Sequence, residues 1–155
     1  MELIYLVKWI HILSSTLLFG TGLGTAFFMV MAHRSGDAQT ISTVAKIVVM
    51  ADWLFTATSG IVQPVTGLWL VSLVGYSSED GWLLATYFIY GLALLCWLPV
   101  VWLQMKIRDI ATEAAQGGKA LPQEYFKYFR IWFFLGWPAF IGLLLVFYLM
   151  VAKPI

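Results

Sequence analysis

Four apolar stretches, each longer than the hydrocarbon core of a bilayer is thick, leave this chain one kind of fold. They cover about residues 3–33, 40–75, 82–115 and 123–152, and a helix needs only about 20 residues to cross. Without water in the bilayer core, each backbone N–H and C=O must pair inside its own segment, so every stretch is expected to be an α-helix. Composition agrees: of 155 residues, 61% are hydrophobic and 11% charged, too few polar groups to coat a soluble domain of this length. The expectation is an all-α, polytopic membrane protein, a single four-helix transmembrane domain over residues 1–155 with the lipid bilayer as its surroundings. A formal net charge of +1 sets nucleic acid aside as a partner. The lone Cys96 rules out an intramolecular disulfide framework. No basic segment precedes the first run, which exceeds the core of a signal peptide, so the first helix is expected to be retained.

Polar punctuation separates the runs. Arg34-Ser35-Gly36-Asp37 is a short turn, the segment from Tyr76 to Gly81 carries Glu79 and Asp80, and Gly117-Gly118 stops the third helix before Pro122 opens the fourth. Basic residues crowd the first and third connections (Arg34 and Lys46; Lys106, Arg108, Lys119, Lys127 and Arg130) and are missing from the second. The positive-inside rule then places those two connections in the cytoplasm, with both termini and the acidic loop outside. Trp69, Trp82, Trp102 and Trp132 read as interfacial anchors.

The polar residues inside the runs carry the functional question. An ionisable side chain in a membrane helix is costly and faces the bundle interior, and His11 is the one histidine well inside a run. His33 lies 22 positions further along the same helix, about 33 Å away at 1.5 Å per residue, so the two cannot grip one haem within a single chain. His11 is left either as one axial ligand of a b-type haem or as a hydrogen-bonding residue toward backbone, Gln63 or a tyrosine of the third helix such as Tyr90. Its helix face also carries Ser15 and Gly22, with room for a flat cofactor near the glycine.

On the second helix Asp52, Thr56, Ser59, Gln63 and Thr66 recur at steps of three and four and form one polar inner stripe. Such a stripe lines a cavity or bonds to neighbouring helices. Asp52 reads as a proton-relay carboxylate or as the structural ion-pair partner of Arg130 or Lys106. Pro64 is expected to kink the helix and free a carbonyl within the stripe. Gly20 and Gly24 suit close packing of a neighbouring helix. No phosphate loop, nucleophile triad or His/Cys cluster supports a kinase or hydrolase.

Trp9-Ile10-His11 with Phe19-Gly20-Thr21-Gly22, the segment from Gly81-Trp82 to Leu103-Gln104, Trp132 to Phe140, and Leu149 to Pro154 resemble a bacterial family of predicted integral membrane proteins of unknown function. The first helix is more distantly similar to those of HemJ-type protoporphyrinogen oxidases and CopD-like copper-resistance proteins. The HemJ-type resemblance implies haem b on the first-helix histidine, a role that carries onto His11. It does not extend to the lysine those enzymes place after the tryptophan opening a later helix, because Trp82 is followed by Leu83, Leu84, Ala85, Thr86 and Tyr87. CopD-like copper transport is not supported, since the methionines are scattered.

The combined expectation is a small b-type haem protein of the bacterial inner membrane, with His11 as axial ligand, Ser15, Gly22, Gln63 and Tyr90 around the cofactor, and redox, quinol or porphyrin chemistry as its task. Its alternatives are a non-catalytic subunit of a larger membrane redox complex, a homodimer packed through Gly20 and Gly24, and a small-molecule transporter using the Asp52 stripe.

Overall fold

The computed structural model describes residues 2–154. Its elements are α1 (Glu2–Ser35), α2 (Ala38–Ala51), a π-helical turn (Asp52–Ala57), α3 (Thr58–Val74), α4 (Gly81–Gln116) and α5 (Gln123–Ala152). α2, the π turn and α3 run on as one span, so four helical spans are long and apolar enough to cross a membrane. There is no strand among the described residues.

Local chemistry explains where the spans begin and end. α1 passes into α2 through Gly36, whose φ of +68° an L side chain rarely adopts. Asp37 then caps α2, its carboxylate accepting the Thr40 amide at 2.7 Å and the Thr40 hydroxyl at 2.6 Å. These bonds, the hydroxyl's first, hold the exposed Asp37 carboxyl below the usual carboxylate range. α3 closes on Gly75 at φ +81°. At the far end of α5, the Lys153 ammonium donates to the Tyr76 hydroxyl and lies 5.7 Å from the centre of the Trp82 ring, fastening the C-terminus to the acidic loop.

α1 packs on α2, the π turn and α3; α4 packs on α5 and α2; α1 and α5 meet only thinly. The packed core gathers toward the end of the bundle that carries the basic connections, where Met29, Ile41, Val48, Leu103, Ile107 and Tyr125 are buried. His33 is part of this end: its ring stacks on Phe129 at 3.7 Å, and Nδ1 bonds the Tyr125 hydroxyl at 3.0 Å. Large apolar side chains such as Trp9, Phe28, Ile61, Phe88 and Phe134 point outward, which suits a lipid solvent.

The predicted polar stripe does face inward. Asp52, Thr56, Ser59 and Thr66 are buried and Gln63 is half-buried. Helix geometry is interrupted at the π turn, ahead of Pro64, and Pro64 itself sits inside α3. Because Pro64 lacks an N–H, the carbonyl four residues back, Gly60, loses its helical donor. The Tyr90 hydroxyl of α4 donates to that oxygen at 2.8 Å. The proline in one span is thereby joined to a tyrosine in the next.

Candidate functional site

Among the polar contacts within the spans, two groupings hold the residues expected to act, and they are separate. The first joins α1 to α3. His11 Nδ1 lies 2.7 Å from Thr66 Oγ1, and the Thr66 hydroxyl in turn donates to the Val62 carbonyl at 2.7 Å. The Gln63 amide donates to the His11 carbonyl at 2.7 Å and to Ser14 Oγ at 2.5 Å. Gly67 is the backing surface: a Cβ there would sit 3.3 Å from His11 Cε1. Helical spacing explains the set, since Gln63 and Thr66 are three residues apart on one face of α3 and His11 and Ser14 three apart on one face of α1.

The second grouping belongs to a cavity of about 420 Å³ between the four spans. It is lined by Gly22 and Thr25 of α1, Asp52 and Thr56 of the π turn, Gly60 of α3, Tyr90, Trp97 and Gln104 of α4, and Trp132, Trp137 and Phe140 of α5. Apolar side chains dominate the walls, and Asp52, Thr56 and Gln104 form a polar patch among them. Within that patch Thr56 Oγ1 donates to Asp52 Oδ1 at 2.9 Å, and Gln104 lines the same cavity. Gln104 and Trp132 are 3% and 5% exposed, yet Gln104 Oε1 and Trp132 Nε1 have no hydrogen-bond partner among the described residues. A buried polar atom left without a partner costs about 1–3 kcal/mol; both residues line the cavity, and the two atoms themselves are turned away from accessible space.

A mouth opens sideways. Leu23 and Phe27 of α1 and Phe133 and Trp137 of α5 line the cavity and are also exposed on the outer surface of the bundle. On one side of this gap Phe19 stacks on Phe140 and meets Phe147 edge-on. On the other side His33 stacks on Phe129. α1 and α5 thus meet in two aromatic clusters with an opening toward lipid between them.

The site residues expected from sequence divide between these places. His11 and Gln63 meet in the α1–α3 grouping, Gly22 and Tyr90 line the cavity, and Ser15 donates to the Ile12 carbonyl at 2.7 Å on the outer side of α1. Gly22 is three helical turns from His11, about 16 Å along the axis, and His11 does not line the cavity. The Asp52–Arg130 ion pair is corrected by the structure. Asp52 accepts from Thr56 instead, and the one ion pair among the described residues is Arg108 with Asp109, at 2.7 Å. α5 turns Phe129 and Trp132 inward, so Arg130 between them is exposed.

Gln104 is the neighbour of Asp52 that depth along the bilayer predicts, as it predicts Lys106 and Arg130. Trp132 reads from sequence as an interfacial anchor and Ser14 carries no signal of its own, so their places are visible only in the structure. Tyr90 as the partner of Gly60 follows from the missing N–H of Pro64 once a donor on another helix is sought.

Fold and cavity together define a polytopic α-helical membrane protein with an internal, laterally open apolar cavity. The chain belongs to the family described as predicted integral membrane protein (DUF2269), whose profile matches residues 5–154. No curated protein and no solved structure matches it.

Proposed function

We propose that this protein binds a neutral amphipathic lipid, taken laterally from the bilayer into the cavity with its polar end toward Asp52, Gln104 and Trp132. The observation that carries this reading is the cavity itself, about 420 Å³, walled mainly by apolar side chains with Asp52, Thr56 and Gln104 among its lining, and open sideways between α1 and α5. Ligand sites have this character: mostly apolar, a few hundred Å³, with a small number of polar groups that orient the guest. In this reading the chain lies in a bacterial inner membrane with both termini outside, supported by the basic residues around its first and third connections.

The test uses purified, detergent-solubilised protein titrated with short-chain prenyl lipids, with binding followed by calorimetry. Saturable binding is expected in the wild type and its loss in Gly22→Phe, where the new side chain enters the cavity without meeting another atom at its Cβ. Equal heats from the two proteins would overturn the reading.

A second reading, haem b on His11, is favoured by the bond to Thr66. Because the Thr66 hydroxyl gives its proton to Val62, it accepts from His11 Nδ1–H, leaving the Nε2 lone pair for a metal. Histidine ligands to metals are oriented in this way by a partner on the other ring nitrogen. The ligating half of a haem site fits these residues and the enclosing half does not, since the cavity starts at Leu18, two turns beyond His11. Haem on His11 therefore requires a second chain, a homodimer or a larger membrane redox complex, to supply the other wall and ligand. If bound, the haem would supply one-electron chemistry; His11 and Thr66 would fix its position. A reduced-minus-oxidised visible spectrum tests this. Haem-b bands lost in His11→Ala would support it, and a colourless protein prepared with ample haem would refute it.

A further inference from the structure

We propose that the bundle carries a second lipid site, for the headgroup of an anionic phospholipid, in the pocket that His33 of α1 and Arg130 of α5 share at the basic end of the molecule. The inference goes beyond the cavity reading and does not rest on it.

The pocket holds about 200 Å³ and is lined by His33, Phe126, Phe129, Arg130 and Phe133. Both of its polar side chains present donors. The Arg130 guanidinium has N–H groups and no acceptor. For His33 the neighbouring tyrosine decides the tautomer. Tyr125 is fully buried, and its hydroxyl has one hydrogen-bond partner among the described residues, His33 Nδ1 at 3.0 Å. If Nδ1 donated, the tyrosine proton would be buried without an acceptor; the hydroxyl therefore donates to Nδ1, and Nε2 carries a proton. Stacking on Phe129 at 3.7 Å fixes the ring. Nε2 has no partner among the described residues, and it is not one of the buried atoms cut off from accessible space.

Charge selects an anion. No carboxylate lines the pocket, and Arg130 is in no ion pair among the described residues. Arg34, beside His33, and Lys127, about one helical turn before Arg130, are exposed and add to the positive field. A phosphate can accept from both donors and matches the planar guanidinium. Position favours a lipid over a soluble anion. His33 lies in the last turn of α1 and Arg130 near the start of α5, at the end of the bundle that the positive-inside rule assigns to the cytoplasm. Phe126 and Phe133 are 41% and 38% exposed, an apolar surface for an acyl chain beside the donors. Phe133 lines the large cavity as well, so a chain hanging from the pocket runs along the gap between α1 and α5 toward the mouth. Basic pockets between membrane helices on the cytoplasmic side hold anionic headgroups in this way.

The experiment titrates the full-length protein, purified in a neutral detergent, with dioctanoylphosphatidylglycerol, dioctanoylphosphatidylcholine and inorganic phosphate, and follows binding by calorimetry. Phosphatidylglycerol is expected to bind about fivefold tighter than phosphatidylcholine, the scale of one arginine's attraction to an anionic lipid, because the choline ammonium cancels the phosphate charge. Inorganic phosphate, with no chain to lay on the phenylalanines, should bind far more weakly than either lipid. Arg130→Gln should bring phosphatidylglycerol down to the affinity of phosphatidylcholine. Lys46→Gln removes the same charge at an exposed position outside the pocket and should leave the preference intact. Absence of phosphatidylglycerol binding, equal affinity for the two lipids, a preference that survives Arg130→Gln or falls equally in Lys46→Gln, or phosphate binding as tightly as phosphatidylglycerol would each overturn the inference.

Discussion

Replacing Tyr90 by phenylalanine tests whether the proline of α3 and the tyrosine of α4 form one device. The substitution keeps the ring and removes the hydroxyl that donates to the Gly60 carbonyl at 2.8 Å. That oxygen lacks the ordinary donor four residues on in its own helix, because position 64 is proline. A buried carbonyl left bare costs about 1–3 kcal/mol, whereas side-chain hydrogen bonds measured within membrane bundles average about 0.6 kcal/mol; a loss near 1 kcal/mol is expected. In a Pro64→Ala background the residue-64 N–H returns to Gly60 and closes the helical bond, so Tyr90→Phe should cost only about 0.3 kcal/mol there. The coupling between the two positions is then about 0.7 kcal/mol, within the range seen for residues in direct contact. Reversible unfolding in mixed micelles of increasing SDS fraction, followed by far-UV circular dichroism, measures all four corners of the cycle. An equal cost of Tyr90→Phe in both backgrounds would refute the reasoning.

Three further outcomes are expected. Gly67→Ala places a methyl 3.3 Å from His11 Cε1, and the ring is pinned by Thr66, so the same unfolding assay should show about 1 kcal/mol of destabilisation that disappears in a His11→Ala background. Gly142→Leu drives a side chain into Ile89 and Ala93, which lie 3.3 and 3.7 Å from the added Cβ. It should separate α4 from α5 and cost about 2 kcal/mol, against a smaller effect for Gly142→Ala. The helix-capping benefit of Asp37 depends on pH with a defined sign. Its carboxyl is held below its unfolded value, so the contribution is fully present above the ordinary carboxylate range and is lost as pH falls through the lowered one. Stability measured against pH should therefore converge with that of Asp37→Asn in acid, and a constant difference across pH would contradict it.

The spans themselves were legible because their causes are local. Hydropathy marks what lipid tolerates, and backbone groups in lipid must pair within their own segment, so four helices follow without knowledge of how they pack. The inward direction of Asp52, Thr56, Ser59 and Thr66 was legible for a similar reason: a 3.6-residue period puts them on one face, and polar groups avoid lipid. The choice of partners was not legible. Asp52 was matched with Arg130 by depth along the bilayer, but depth leaves azimuth open, and α5 rotates Phe129 and Trp132 inward and Arg130 outward. His11 and Gly22 share a helix face, yet along α1 the cavity begins only at Leu18, where α1 separates from α5 between two aromatic clusters.

By itself, then, the sequence determined an all-helical membrane bundle with its polar stripe turned inward, since periodicity and solvation act over one or two helical turns. Tertiary structure alone decided that Thr66 faces His11, that Tyr90 caps the carbonyl freed by Pro64, and that Asp52, Gln104 and Trp132 line one cavity. Those pairings depend on the rotation and separation of helices far apart in the chain, which no local pattern encodes.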